Sequence, residues 1–183
     1  PSFLPLGCAA AAGTCPPGGG VSVLNNPTET ASTMDEAVDI ARRYLVGLSI
    51  PNLAIGEVIE FEQNFEVIYT DTITDIGAFA ITIRKPGAEP LVFDPSGYSK
   101  PEQGPYSMWN TRFGPASFAS RQVYNGIVDE NSAKAVAQAY LDQNIPGAKV
   151  GDIHPFYGFF SVKIVKDGTV YGMMSVNAYT RAI

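Results

Sequence analysis

His154 is the single histidine of this 183-residue chain, and Cys8 and Cys15 are its two cysteines. A Ser-His-Asp arrangement needs that histidine beside a nucleophile, and a multi-histidine metal centre needs more than one. Lone His154 therefore reads as a structural or surface residue. Cys8 and Cys15, six residues apart among Gly and Pro, can close a small disulfide loop, which belongs outside the cytoplasm. Two free thiols are the alternative, whereas a metal site would want further Cys or His nearby. Glu57, Glu60, Glu62 and Glu66 alternate along the sequence as on a solvated sheet face. Asp71 and Asp75 flank a turn and read as turn formers rather than calcium ligands. Met173 and Met174 point to opposite faces of a strand, which suits core packing better than copper. Phosphate-binding glycine loops and the G-x-S-x-G elbow do not occur. The expectation is a non-enzymatic protein without catalytic residue, cofactor or metal.

The elements around these residues repeat. Ala37, Ala41, Tyr44 and Leu45 match Ala133, Ala137, Tyr140 and Leu141. After a one-residue gap, Ile50, Pro51, Gly56, Phe61, Phe65, Val67 and Gly77 match Ile145, Pro146, Gly151, Phe156, Phe160, Val162 and Gly172. The apolar positions 37, 40, 41, 44, 45 and 48 fall on one face of a helix. Thr33 with Glu36 forms a capping-box signature, and Asn131 can cap the second helix. Pro51 and Pro146 end the helices. The stretches 57–63, 65–72, 77–83, 159–165 and 169–179 read as strands, with Asp167-Gly168 as a hairpin turn. The fold expected is α+β: two tandem units, each one helix packed on a small antiparallel sheet, plus an extended N-terminal tail. The boundaries are 1–32 for the tail, 33–95 for the first unit with 91–94 as a further strand of its sheet, 96–127 for an ordered Pro/aromatic connector, and 128–183 for the second unit. Trp109, in "SMWNTRFG", reads as an anchor of the connector rather than a pocket wall.

The A-x-x-x-A-x-x-Y-L stripe, the Ile-Pro that follows, and the hairpin ending "YGMMSVNAYT" at 171–180 resemble the PepSY domain. The connector "PEQGPYSMWNTRFG" at 101–114 is similar to one in bacterial secreted proteins with paired PepSY-like units. The resemblance covers roughly 33–183 and implies an extracytoplasmic setting. It also implies, for some members, inhibition or chaperoning of peptidases, so a peptidase is the partner under that reading.

The tail stands apart. Its first 28 residues are uncharged, in a chain of net charge −6. That acidity argues against nucleic acid as a partner, and no run is long enough for a membrane span. Pro1 in place of Met suggests that a signal peptide has been removed, so the protein is expected to be secreted, extracellular or at the cell surface. An uncharged, Gly-rich tail with Leu4, Leu6, Val21, Val23 and Leu24 can lie as a strand on an exposed sheet edge. Donated from copy to copy, it gives a head-to-tail contact that does not close, and so an extracellular filament, a homopolymer. The alternative is a monomeric secreted binding module, a peptidase inhibitor or chaperone or a ligand binder.

Overall fold

A computed structural model describes residues 27–88, 109–113 and 128–183. The tail residues Leu4, Leu6, Cys8, Cys15, Val21, Val23 and Leu24 and the strand expected at 91–94 lie outside the described residues, as does most of the connector.

Helix α1 spans Met34–Leu48. Thr33 accepts a hydrogen bond from Glu36 N–H, and the Glu36 carboxylate accepts from Ser32 and Thr33 N–H, so the capping box is formed. Ser49, in the left-handed region at φ 52°, ends the helix. Three antiparallel strands follow: β1 (Leu53–Glu60), β2 (Asn64–Asp71) and β3 (Ile76–Arg84). The order then recurs as α2 (Glu130–Asn144), β4 (Lys149–Phe156), β5 (Phe159–Lys166) and β6 (Thr169–Asn177). Asp129, not Asn131, caps α2, accepting from Ser132 N–H at 2.8 Å. The β5–β6 turn has positive φ at both Asp167 and Gly168, the geometry that suits a tight hairpin.

The expected pair of separate small sheets is not what forms. The six strands make one mixed sheet in the order β1-β2-β3-β4-β5-β6, with β3 and β4 joined in parallel where Gly77 meets Phe156. The reason is local. The Phe156 ring presses on Gly77 so closely that a Cβ there would lie 2.8 Å from it, so only glycine admits the contact. Segment 109–113 laces the seam: Asn110 Nδ2 donates to Ala78 O on β3, and Thr111 N–H donates to Tyr157 O in the β4–β5 turn.

Each helix covers its own half of the sheet. Ala37, Ile40 and Ala41 pack on Phe65, Val67, Tyr69, Phe79, Ile81 and Ile83. Ala133 and Ala137 pack on Phe160, Val162 and Val176, and Leu141 on Ile164. Tyr44 stacks on Tyr69, but Tyr140 is exposed, so the two tyrosines of the repeat do not play the same part.

The other sheet surface is also buried in part. Ile59 and Ile68 from the first half meet Phe156 and Phe159 from the second, with Phe61, Ala80, Trp109 and Met173 around them. In a flat sheet β1 and β5 would lie roughly 19 Å apart, at about 4.8 Å per strand. Lys163 Nζ on β5 nevertheless sits 2.6 Å from Glu57 Oε1 on β1. The sheet is therefore folded over at the β3–β4 seam, with its two helix-free surfaces facing each other and a helix outside each.

Candidate functional site

Among the described residues, two polar clusters and the rim of the sheet are places where this fold could act. The first cluster lies between the folded halves. Lys163 donates to Glu57 at 2.6 Å and to Asp152 at 3.1 Å. His154 Nε2 lies 2.9 Å from Glu57 Oε2, and both atoms are shielded from solvent. Burial alone would lower the Lys163 ammonium, but its contacts with Glu57 and Asp152 outweigh that and hold it above its ordinary value. Glu57 is thus part of a clamp, not of a freely solvated face. Because the folded value is raised, the stabilisation is complete below the ordinary value of 10.5 and is lost as pH rises through the folded value. Lys163→Met is expected to cost about 1–3 kcal/mol at neutral pH, since it leaves the partly buried Glu57 carboxylate without its cation. The gap between variant and wild type should close as urea melts are repeated above pH 10.5. A gap that stays constant would show that the loss is one of packing.

The second cluster fastens segment 109–113. Asp71, 2% exposed, accepts from Ile73 N–H at 2.9 Å, Arg112 at 2.7 Å and the Tyr157 hydroxyl at 2.8 Å. The Ile73 N–H holds its carboxyl below the usual range; burial opposes this, and Tyr157, Arg112 and the Thr74 N–H reinforce it. Arg112 also lies over the Tyr157 ring, and Asn110 Oδ1 accepts from Arg112 and Phe113 N–H. Both Asp71 oxygens are thus engaged within the fold. Asp71 is a turn former as the sequence suggested, but it is also a tie across 86 residues to Tyr157. Trp109 packs at the same seam, as an anchor would.

The third place is the rim of the sheet. β1 and β6 each have one strand neighbour among the described residues. Beside β6 an open groove of about 420 Å³ is lined by Phe61, Asn64, Arg84, Val170 and Tyr171 among others. Val170 and Tyr171 are 39% and 58% exposed. The chain enters the described fold nearby: Thr30 bridges in parallel to Arg84, and Ala31 N–H donates to Arg84 O at 2.9 Å.

Sequence reasoning did not single out Arg112, Tyr157, Asn110 or Lys163. Lys163 carried a signal, a lone cation inside the apolar run FFSVKIV. For the others the partner lies far along the chain, and no local pattern marks it. No family model matches the chain, and no curated protein or solved structure matches it either. The PepSY resemblance thus rests on its motif residues. Among the described residues no helix is long and apolar enough to cross a membrane.

Proposed function

We propose that this protein is a secreted, non-enzymatic structural subunit that assembles head-to-tail into an extracellular filament, each copy lodging its N-terminal segment on the sheet edge of the next. The observation that carries this reading is the open six-stranded sheet, whose outer strands β1 and β6 lack a second neighbour among the described residues. Unpaired edges are templates for a further strand. The donor is the uncharged stretch before Glu29, which loses little on leaving water. Burying four aliphatic side chains such as Leu6, Val21, Val23 and Leu24 contributes roughly 6–12 kcal/mol, before the cost of ordering a Gly-rich segment. A disulfide between Cys8 and Cys15 would reduce that cost by restricting the free tail.

Deletion of residues 1–24 tests the reading. The full chain is expected to form filaments in negative stain and to sediment as a polymer. The truncated chain should sediment as a monomer with the same far-UV circular dichroism. A full chain that stays monomeric at high concentration would favour the monomeric binding module, with a peptidase or another peptide on the same edge. Polymers that survive the deletion would remove the tail from the contact.

A further inference from the structure

The two outer strands are not equivalent. β1 carries Glu57 and Glu60, and Glu60 is tied to Lys85 at 2.7 Å. It also breaks register between Ile55 and Glu57, where Gly56 bulges out. Charges and bulges are the devices that keep an edge from pairing. β6 reads TVYGMMSVN, with neither charge nor proline, and its one bulge falls at Tyr171, close to the hairpin tip.

Hydrogen-bond alternation shows which part of β6 is open. Ala178 N–H donates to Gly158 O, so Val176, Met174 and Gly172 face β5 as far as the bulge, and Met173 and Ser175 turn their backbone groups outward. At the far end the outward groups of Asn177 are already used: its N–H donates to Ala182 O, and its carbonyl accepts from Arg181 N–H. Among the described residues the open stretch is therefore Val170–Ser175, about 20 Å long at ~3.3 Å per residue, with the bulge at Tyr171 near its start. It ends beside the groove lined by Phe61, Arg84, Val170 and Tyr171.

We infer that the outer edge of β6 from Val170 to Ser175 is the acceptor, and that it takes the Val21–Leu24 segment of a second copy as a seventh strand. This rests on the filament reading, which makes the donor another molecule. The segment fits in kind and length. Four residues occupy ~13 Å of the ~20 Å edge. As a strand the segment would put Val21 and Val23 on one side, and the exposed Val170 and Tyr171 offer an apolar surface for that side to meet. Neither strand carries a charge of its own to desolvate, and Lys166 Nζ lies over the Tyr171 ring, 5.6 Å from its centroid.

The test uses the full chain with a photo-reactive benzophenone side chain replacing Tyr171. It is assembled from equal amounts of nitrogen-14 and nitrogen-15 protein, irradiated, and read by peptide mass spectrometry. The expected product joins position 171 to the peptide containing Val21–Leu24, with mixed-isotope pairs about as frequent as same-isotope pairs. Cross-links to residues 53–60 or to the β6 of a neighbour overturn the acceptor assignment and leave the filament reading standing. Cross-links to the tail found only as same-isotope pairs overturn both, as does a mixture that never polymerises. Ser175→Pro removes one outward N–H and leaves the bonds to β5 intact. It should raise the concentration needed for assembly about tenfold, roughly what one hydrogen bond to the incoming strand is worth. A Ser175→Pro chain that keeps the wild-type circular dichroism and assembles at the wild-type concentration overturns the acceptor assignment. Should that variant fail to fold, the cross-link alone decides.

Discussion

Asp71→Asn is expected to lower the unfolding free energy by about 2–3 kcal/mol at neutral pH. The amide keeps an oxygen for Ile73 N–H but turns an N–H toward Arg112 and Tyr157, both of which now donate to the carboxylate. Breaking a buried charge pair costs about 3–5 kcal/mol. Arg112 is 43% exposed, so water takes over part of its loss and the lower figure applies. The pH dependence gives a second reading. The carboxyl of Asp71 is held below its ordinary value of 3.8 in the folded chain. Its stabilisation is therefore full above that value and is lost as pH falls through the folded one. Urea melts between pH 5 and pH 2 should show wild type losing stability faster than the variant. Equal slopes would mean that Asp71 is not the acid-sensitive tie.

Phe159→Ala should cost about 3–5 kcal/mol, the range for emptying a packed aromatic site. Phe159 is 3% exposed and stacks on Phe156 with ring centroids 4.7 Å apart. This pair joins the two folded-over surfaces, so the variant also probes whether the halves unfold together. Trp109, the only tryptophan, packs on the same cluster and reports on the seam. Its fluorescence and the far-UV circular dichroism should change at one urea concentration in wild type, and at one lower concentration in the variant. Two separated transitions in wild type would show that the six strands do not act as one unit.

Much of the local structure was legible in the residues. Thr33 and Glu36 gave the start of α1, and Asp167-Gly168 gave the β5–β6 turn. The repeated glycines Gly56 and Gly151 both fall where the first strand of a half breaks register, and a side chain at Gly151 would meet Val165 at 2.9 Å. Gly77 and Gly172 misled. Gly77 stands opposite Thr70, but Val170 stands opposite Val165, because the β2–β3 turn is two residues longer than the β5–β6 turn. β4 was hidden by Gly151, Asp152, His154 and Pro155, which dilute its pattern. Pro155 is tolerated because alternation from the Phe156–Phe159 pair turns its nitrogen away from β5. The joining of the halves was not legible. It depends on a ring against a glycine and on Asn110 reaching Ala78, and neither leaves a periodic trace. The outer edge of β6 could be read only once the strand order was known.

The seam between β3 and β4 also bears on the path by which the chain folds. Gly77 and Phe156 are roughly 80 residues apart, whereas the β1–β2, β2–β3, β4–β5 and β5–β6 hairpins close over turns of a few residues. Closing a loop costs more entropy the longer it is, and this one is repaid only when segment 109–113 and the aromatic pair arrive together. The hairpins and their helices, whose contacts are local, are expected to form early and the seam last. Until it closes, the apolar surface of Ile59, Ile68, Phe156 and Phe159 is open to water and to other chains. The molecule is thus expected to pass, while folding, through a stage with more sticky surface than its finished form.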